Sequence, residues 1–237
     1  THARLNRLDA ARADADAAFR LRQRAVRAEP FNTAWRDGLV TDATNDAVIL
    51  MRADQPAPAL EATQAAWDQV QSLARENGPH SKWISALPRV AQHHGRALVA
   101  NGQYQEALPV LARALAMWDD NRTRSPSAHA TRMHAWLQLY QARALQGSGD
   151  GDAARVRMRE VLSDLAPLAE EPKARDALLN LGEANLFMAT LGPRRSVDWR
   201  ARARAAYERA QALLPLTGDH LRNFVAAGGK PALTSSP

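Results

Sequence analysis

The 237-residue sequence contains no cysteine. This absence excludes disulfide bonds, thiol nucleophiles and cysteine-ligated zinc, and it is compatible with oxidising and reducing compartments alike. No run approaches the ~20 apolar residues that a membrane-spanning helix needs, and no segment has the form of a cleavable signal peptide. We therefore expect no membrane insertion by this chain. Because it begins at Thr1, we expect it to be a piece of a longer protein, for which a membrane anchor is compatible with the sequence.

Recognisable catalytic and metal-binding motifs are also missing. His93 and His94 are adjacent, so on a helix they point about 100° apart and do not share one metal ion. His129 and His134 have no acidic residue at ligand spacing. The glycine-rich segment 147–152 lacks the Lys-Ser or Lys-Thr of a phosphate loop. We expect no enzyme, no catalytic residue, no metal and no cofactor.

Lysine is scarce, so the formal net charge of +6 comes almost wholly from arginine. Arginines spread over helices are typical of solvated surfaces, and a basic surface that attracts an anionic partner is the alternative. Aromatic residues make up only 5% of the chain and the arginines are dispersed. We therefore expect no nucleic-acid partner, with a nucleic-acid-binding helical array kept as an alternative.

Four alanines recur at separations of 48, 47 and 49 residues and mark an internal repeat. They are Ala59, Ala107, Ala154 and Ala203. The residues four and seven positions after each alanine lie on the same face of a helix. These residues are Thr63 and Ala66, Leu111 and Ala114, Met158 and Val161, and Tyr207 and Ala210. The pattern predicts one helical segment that occurs four times.

A second helix precedes each marker alanine in the first three repeats. Twelve residues before the marker stand Ala47, Gly95 and Ala142, and nine before it stand Leu50, Leu98 and Leu145. Small residues let two helices approach closely, and leucines fill the seam between them. In the fourth repeat, Leu181 and Gly182 lie about nine residues too far upstream. This departure predicts an inserted surface loop that includes residues 192–195.

The second repeat resembles the tetratricopeptide repeat (TPR), which pairs two antiparallel helices and places a glycine and an aromatic residue at the turn. Its matching residues are Gly95, Leu98, Gly102, Tyr104, Ala107, Leu111 and Ala114. The resemblance covers roughly residues 33 to 215 and implies an all-α, right-handed α-solenoid of about four TPR-like hairpins. These repeats have about 48 residues where a TPR has 34, so HEAT-like pairs of ~40–47 residues are the competing assignment.

Three segments follow from this pattern. Residues 1–29 are expected to form a charged lead-in helix with apolar residues near heptad spacing, interrupted by Arg12 and Arg22. This helix either packs on the first hairpin or joins the array to an upstream element, and dimerisation through it is a further alternative. Residues 30–227 are expected to be the repeat domain, ending in a capping helix at 219–227. Residues 228–237 are expected to be a disordered tail.

The TPR resemblance implies a concave surface lined by the first helix of each hairpin. The residues placed there are Arg89, Gln92, Arg96, Trp136, Leu139, Arg143 and Glu183. Arg96 and Arg143 occupy equivalent positions of neighbouring repeats, where two guanidinium groups suit a carboxylate or a phosphate. The expected partner is a protein or peptide segment, acidic in character. The alternative is that these arginines pair with acidic residues of the chain itself.

The lead-in segment and the 48-residue rhythm also resemble, in style, the soluble region of bacterial transmembrane eukaryotic-like Ser/Thr kinases and related regulators. This resemblance implies the sensory or interaction region of a larger signalling protein. It slightly favours a periplasmic domain of an inner-membrane protein over a cytoplasmic location. A cytoplasmic scaffold is the alternative.

Overall fold

The computed structural model describes residues 8–78, 81–172, 174–191 and 198–230. Over these residues the chain forms ten α-helices and no β-strand, which confirms the predicted all-α class. The helices are α1 (Leu8–Ala28), α2 (Thr33–Arg52), α3 (Pro56–Asn77), α4 (Lys82–Ala100), α5 (Tyr104–Arg124), α6 (Ala128–Gly147), α7 (Gly151–Leu168), α8 (Arg175–Leu191), α9 (Trp199–Leu213) and α10 (Gly218–Ala226).

The helices pack in chain order. Helix α2 pairs with α3, α6 with α7 and α8 with α9, and the second helix of a hairpin packs on the first helix of the next, α3 on α4 and α7 on α8. The first helices of neighbouring hairpins also touch, α2 with α4 and α6 with α8. Contacts that run from each element to its neighbours are typical of stacked helical hairpins.

The chain divides into two compact units, Thr1–Met117 and Trp118–Pro237. The first contains α1 to α4 and most of α5, and the second contains the end of α5 and α6 to α10. The lead-in helix thus belongs to the same compact unit as the first two hairpins. Among the helices described, none is both long and apolar enough to cross a membrane.

The repeat pattern of the sequence lies in the core. All four marker alanines are completely buried, each near the start of the second helix of a hairpin. The residues four and seven positions later are buried as well, with exposed fractions of 1% or 0%. The predicted helical face is therefore the face along which each second helix packs.

Glycines in two first helices allow the second helices to come close. A Cβ atom on Gly95 would lie 2.5 Å from Cδ2 of Leu111, and one on Gly182 would lie 2.8 Å from Cε2 of Tyr207. Leu111 and Tyr207 each follow a marker alanine by four residues, so Gly182 is the equivalent of Gly95 despite its different spacing. The extra residues of the fourth repeat are shared between helix and loop. Helix α8 continues nine residues past Gly182, where the other first helices continue five past their small residue, and seven residues rather than three separate it from α9. The predicted loop at 192–195 lies outside the described residues.

The turn inside each of the first three hairpins has the same geometry. A residue five positions before the marker alanine has a positive φ: Asp54 (59°), Gly102 (74°) and Gly149 (97°). The next residue donates its N–H to the carbonyl of the predicted seam leucine, with N···O distances of 2.9, 3.0 and 2.9 Å. This is the hydrogen bond of a Schellman helix end, in which glycine, or more rarely aspartate, takes the left-handed position.

A short helix covers the end of the last hairpin. Helix α10 packs on α8 and α9, and its Phe224 is 1% exposed. The prediction of a disordered tail from residue 228 needs a correction at its start. Gly229 is buried, and a Cβ atom there would lie 2.0 Å from the Phe224 ring, because the chain passes directly over that ring. Residues 231–237 lie outside the described part.

Candidate partner-binding surface

The predicted partner-binding residues fall in two groups, one in each compact unit. Arg89, Gln92 and Arg96 lie on α4 in the first unit. Four residues lie in the second unit: Trp136, Leu139 and Arg143 on α6, and Glu183 on α8.

The α4 face carries two arginines around a histidine. Arg89 is exposed and Arg96 is half-buried, and His93 lies between them in sequence. Burial, followed by the positive charges of Arg96 and Arg89, lowers the pKa of His93 to about 4. The imidazole is therefore neutral near pH 7, and the positive charge on this face comes from the guanidinium groups.

In the second unit, Arg143 pairs with Glu183. Arg143 Nη1 lies 2.9 Å from Glu183 Oε1, and the two side chains are 27% and 9% exposed. Both residues follow the small residue of a first helix by one position, and they meet because α6 and α8 are in contact. The carboxylate expected from a ligand is thus supplied to Arg143 by the chain itself, which is the alternative left open by the sequence.

Aromatic side chains surround this ion pair. The Tyr140 hydroxyl donates to Glu183 Oε1 over 3.3 Å, and its ring lies 4.3 Å, between centroids, from that of Trp136. Arg143 Cζ lies 5.1 Å from the Tyr140 ring centroid and 5.7 Å from that of Phe187. Burial acts to lower the pKa of Arg143, but the Glu183 charge and hydrogen bond, together with the Tyr140 and Tyr207 side chains, outweigh it and the pKa is raised. Arg143 therefore stays charged, held by rings on two helices.

Leu139 does not lie on a surface, contrary to the prediction. It is completely buried in a core that includes Met158 and Val161 of α7. Its position, three residues before the small residue of the first helix, is buried in all four hairpins. The residues there are Thr44, Gln92, Leu139 and Leu179, with exposed fractions of 1%, 7%, 0% and 4%. This position faces the seam, so Gln92 is also largely withdrawn from solvent.

A buried histidine in the second unit has acidic neighbours that its sequence spacing did not indicate. His134 is 5% exposed, and its Nε2 lies 3.0 Å from Asp119 Oδ1 and its Nδ1 3.7 Å from Asp164 Oδ2. The two aspartates come from α5 and α7, so no spacing within α6 could reveal them. Across the described residues, no group of three or more His, Cys, Asp or Glu side chains is arranged to hold a metal ion.

Comparisons with known proteins give little more. No family model matches the chain, and no curated protein matches it. The crystal structure of BtubC (BKLC) from P. vanneervenii is similar over 93% of this chain and 82% of that chain, with 14% sequence identity and a TM-score of 0.49. At this level of similarity the comparison shows neither a family nor a function for the chain.

Proposed function

We propose that the chain is a non-enzymatic module that binds a protein or peptide segment, as the sensory or interaction region of a larger bacterial signalling protein. In this proposal the hairpins form a right-handed, TPR-like solenoid with repeats of about 48 residues, and the first helices line the binding groove. The observation that carries it is the α4 face, where Arg89 and Arg96 flank a neutral His93.

The chemistry of the α4 face favours an acidic partner. A guanidinium group presents a planar fork of donors that matches a carboxylate, and each charge-assisted hydrogen bond contributes ~1.5–3 kcal/mol. Arg89 is exposed, so a partner carboxylate reaches it without a rearrangement of the helix. Because His93 stays neutral, the attraction depends little on pH above 5.

The α6–α8 surface offers a different kind of contact. Glu183 offsets the charge of Arg143, and the half-buried rings of Trp136 and Phe187 lie beside the pair. Aromatic side chains of this kind are frequent anchors in protein interfaces. We therefore expect this surface to take apolar rather than acidic residues of a partner.

The test is a comparison of two double variants that remove the same charge. Arg89→Ala/Arg96→Ala should weaken the binding of acidic peptides at least tenfold, measured by fluorescence anisotropy against a library of peptides. Arg52→Ala/Arg75→Ala removes two exposed arginines of α2 and α3 and should leave the affinity within twofold. Equal losses of affinity in the two variants would mean that acidic peptides respond to the net positive charge of the chain and not to a site on the α4 face.

A salt titration separates this proposal from nucleic-acid binding. Binding to nucleic acid releases counterions, so its affinity falls with a log–log slope of roughly −0.7 to −0.9 for each phosphate neutralised. A peptide held by two guanidinium groups and apolar contacts should show a shallow slope. A slope steeper than about −4 with nucleic acid, together with no peptide binding, would contradict the peptide proposal.

A further inference from the structure

The lead-in helix α1 is held on α2 by a group of contacts around one arginine. Phe19 of α1 is buried. The Arg22 guanidinium lies over Gly38, where a Cβ atom would be 2.6 Å from Arg22 Cζ. Arg22 Nε also donates to Asp42 Oδ2 over 3.0 Å, and Arg22 Cζ lies 5.1 Å from the Trp35 ring centroid. These contacts define the docking of α1 on the first hairpin.

One turn beyond Asp42, the same face of α2 buries a carboxyl group. Asp46 is 2% exposed, and within the described residues its Oδ1 has no hydrogen-bond partner. A buried carboxylate oxygen that accepts no hydrogen bond has lost its hydration without replacement, so burial favours the neutral acid there. When α1 leaves, water reaches the group and this penalty disappears.

The charges that act on Asp46 both come from α1. Asp16 repels the carboxylate and Arg20 attracts it. Arg20 is itself engaged by Asp16, since its Nε donates to both carboxylate oxygens of Asp16 over 2.9 Å. From α3, Glu61 also acts on Arg20. Burial, then Asp16, therefore raises the pKa of Asp46 to about 6 in spite of Arg20.

We propose that Asp46 makes the docking of α1 on the first hairpin depend on pH, with α1 held most firmly while this carboxyl group is protonated. The device does not involve the α4 face and is independent of the proposed partner binding.

The direction of the effect follows from proton linkage. The docked state binds the Asp46 proton more tightly than the undocked state, so docking is strongest below pH 4, where both states are protonated. As the pH rises from about 4 to 6, the docking constant falls by up to tenfold per unit, and above 6 it levels off. Between pH 5 and pH 7.5 the expected loss is about tenfold.

Hydrogen exchange of the full chain measures this loss even when undocking is rare. Protection factors of the α1 amides, corrected for the intrinsic effect of pH, should fall about tenfold from pH 5 to pH 7.5. Asp46→Asn, which stays neutral at both values, should remove this change. Circular dichroism at both pH values verifies that the variant is folded.

Two further variants make the result specific. Asp68→Asn changes an exposed carboxyl group on α3 and should keep the full tenfold change. Asp16→Asn removes the repelling charge and should move the midpoint to a lower pH. Equal protection of wild-type α1 at the two pH values, or a tenfold change that persists in Asp46→Asn, would overturn the proposal.

Discussion

The stability of the second compact unit should depend on the ion pair between Arg143 and Glu183. Removing Arg143 leaves a carboxylate that is 9% exposed without a charged partner, held within the described residues only by the Tyr140 hydrogen bond. Breaking a buried pair typically costs 3–5 kcal/mol. Since Arg143 is itself partly exposed, we expect Arg143→Ala to lower the free energy of unfolding by about 3 kcal/mol in urea denaturation.

A second charge pair provides the control for this prediction. Arg157 and Glu160 form an exposed pair within α7, so Arg157→Ala should change the free energy of unfolding by less than about 0.5 kcal/mol. Arg143→Ala/Glu183→Leu should recover part of the loss, because no orphaned charge remains. If Arg143→Ala were as mild as Arg157→Ala, the pair would not be buried as described.

The ion pair between Arg36 and Glu76 should make the stability of the first compact unit depend on pH. Arg36 donates to both carboxylate oxygens of Glu76 over 2.5 and 2.8 Å, and these bonds, with one from Ser72, lower the pKa of Glu76 to about 2. A lowered carboxyl pKa contributes stability above the ordinary value of 4.5, and this contribution disappears as the pH falls towards 2. Urea denaturation at pH 6 and pH 3 should therefore show a smaller difference between wild type and Arg36→Met at pH 3. Arg52→Met, which changes an exposed arginine at the other end of α2, should behave like wild type at both pH values. An Arg36→Met deficit that is unchanged at pH 3 would argue against the pair.

Within each hairpin, the packing of two helices depends on the marker alanine. Ala107 is completely buried, and Ala112 is exposed on the same helix. Ala107→Phe should overfill the seam and cost ~1–3 kcal/mol, while Ala112→Phe should stay within about 0.5 kcal/mol. The two variants add the same atoms to one helix, so similar midpoints in thermal denaturation would contradict the seam assignment.

The hairpins could be predicted from the sequence because their determinants are local and repeated. The small residues, the seam leucines and the turn residue lie within a dozen positions of each marker alanine, and close packing requires all of them together. The environment of Arg143 could not be predicted in this way. Its partner, Glu183, lies in the next hairpin. The sequence alone does not show which acidic residue of another helix an arginine side chain contacts. The predicted surface location of Leu139 is wrong because its position faces the seam. The equivalent positions of the first two hairpins hold the polar residues Thr44 and Gln92, so the sequence pattern does not mark this position as buried.

An array of hairpins should respond locally to damage at its ends, because each repeat contacts only its neighbours. Phe224 of the capping helix is 1% exposed, and the next residue, Val225, is 51% exposed. Phe224→Ala opens a cavity beside Tyr207, whose ring centroid lies 6.3 Å away, and should cost ~3–5 kcal/mol. Val225→Ala should change stability by less than about 1 kcal/mol.

The distribution of that loss along the chain is the more informative result. Hydrogen exchange of Phe224→Ala should show the largest loss of protection in α8, α9 and α10, which contact one another, and a small loss in α2 and α3. The Val225→Ala profile should match that of wild type. Nearest-neighbour coupling confines a defect at one end to the hairpin that it touches. A uniform loss of protection from α2 to α10 would contradict this and would mean that the chain unfolds as one cooperative unit.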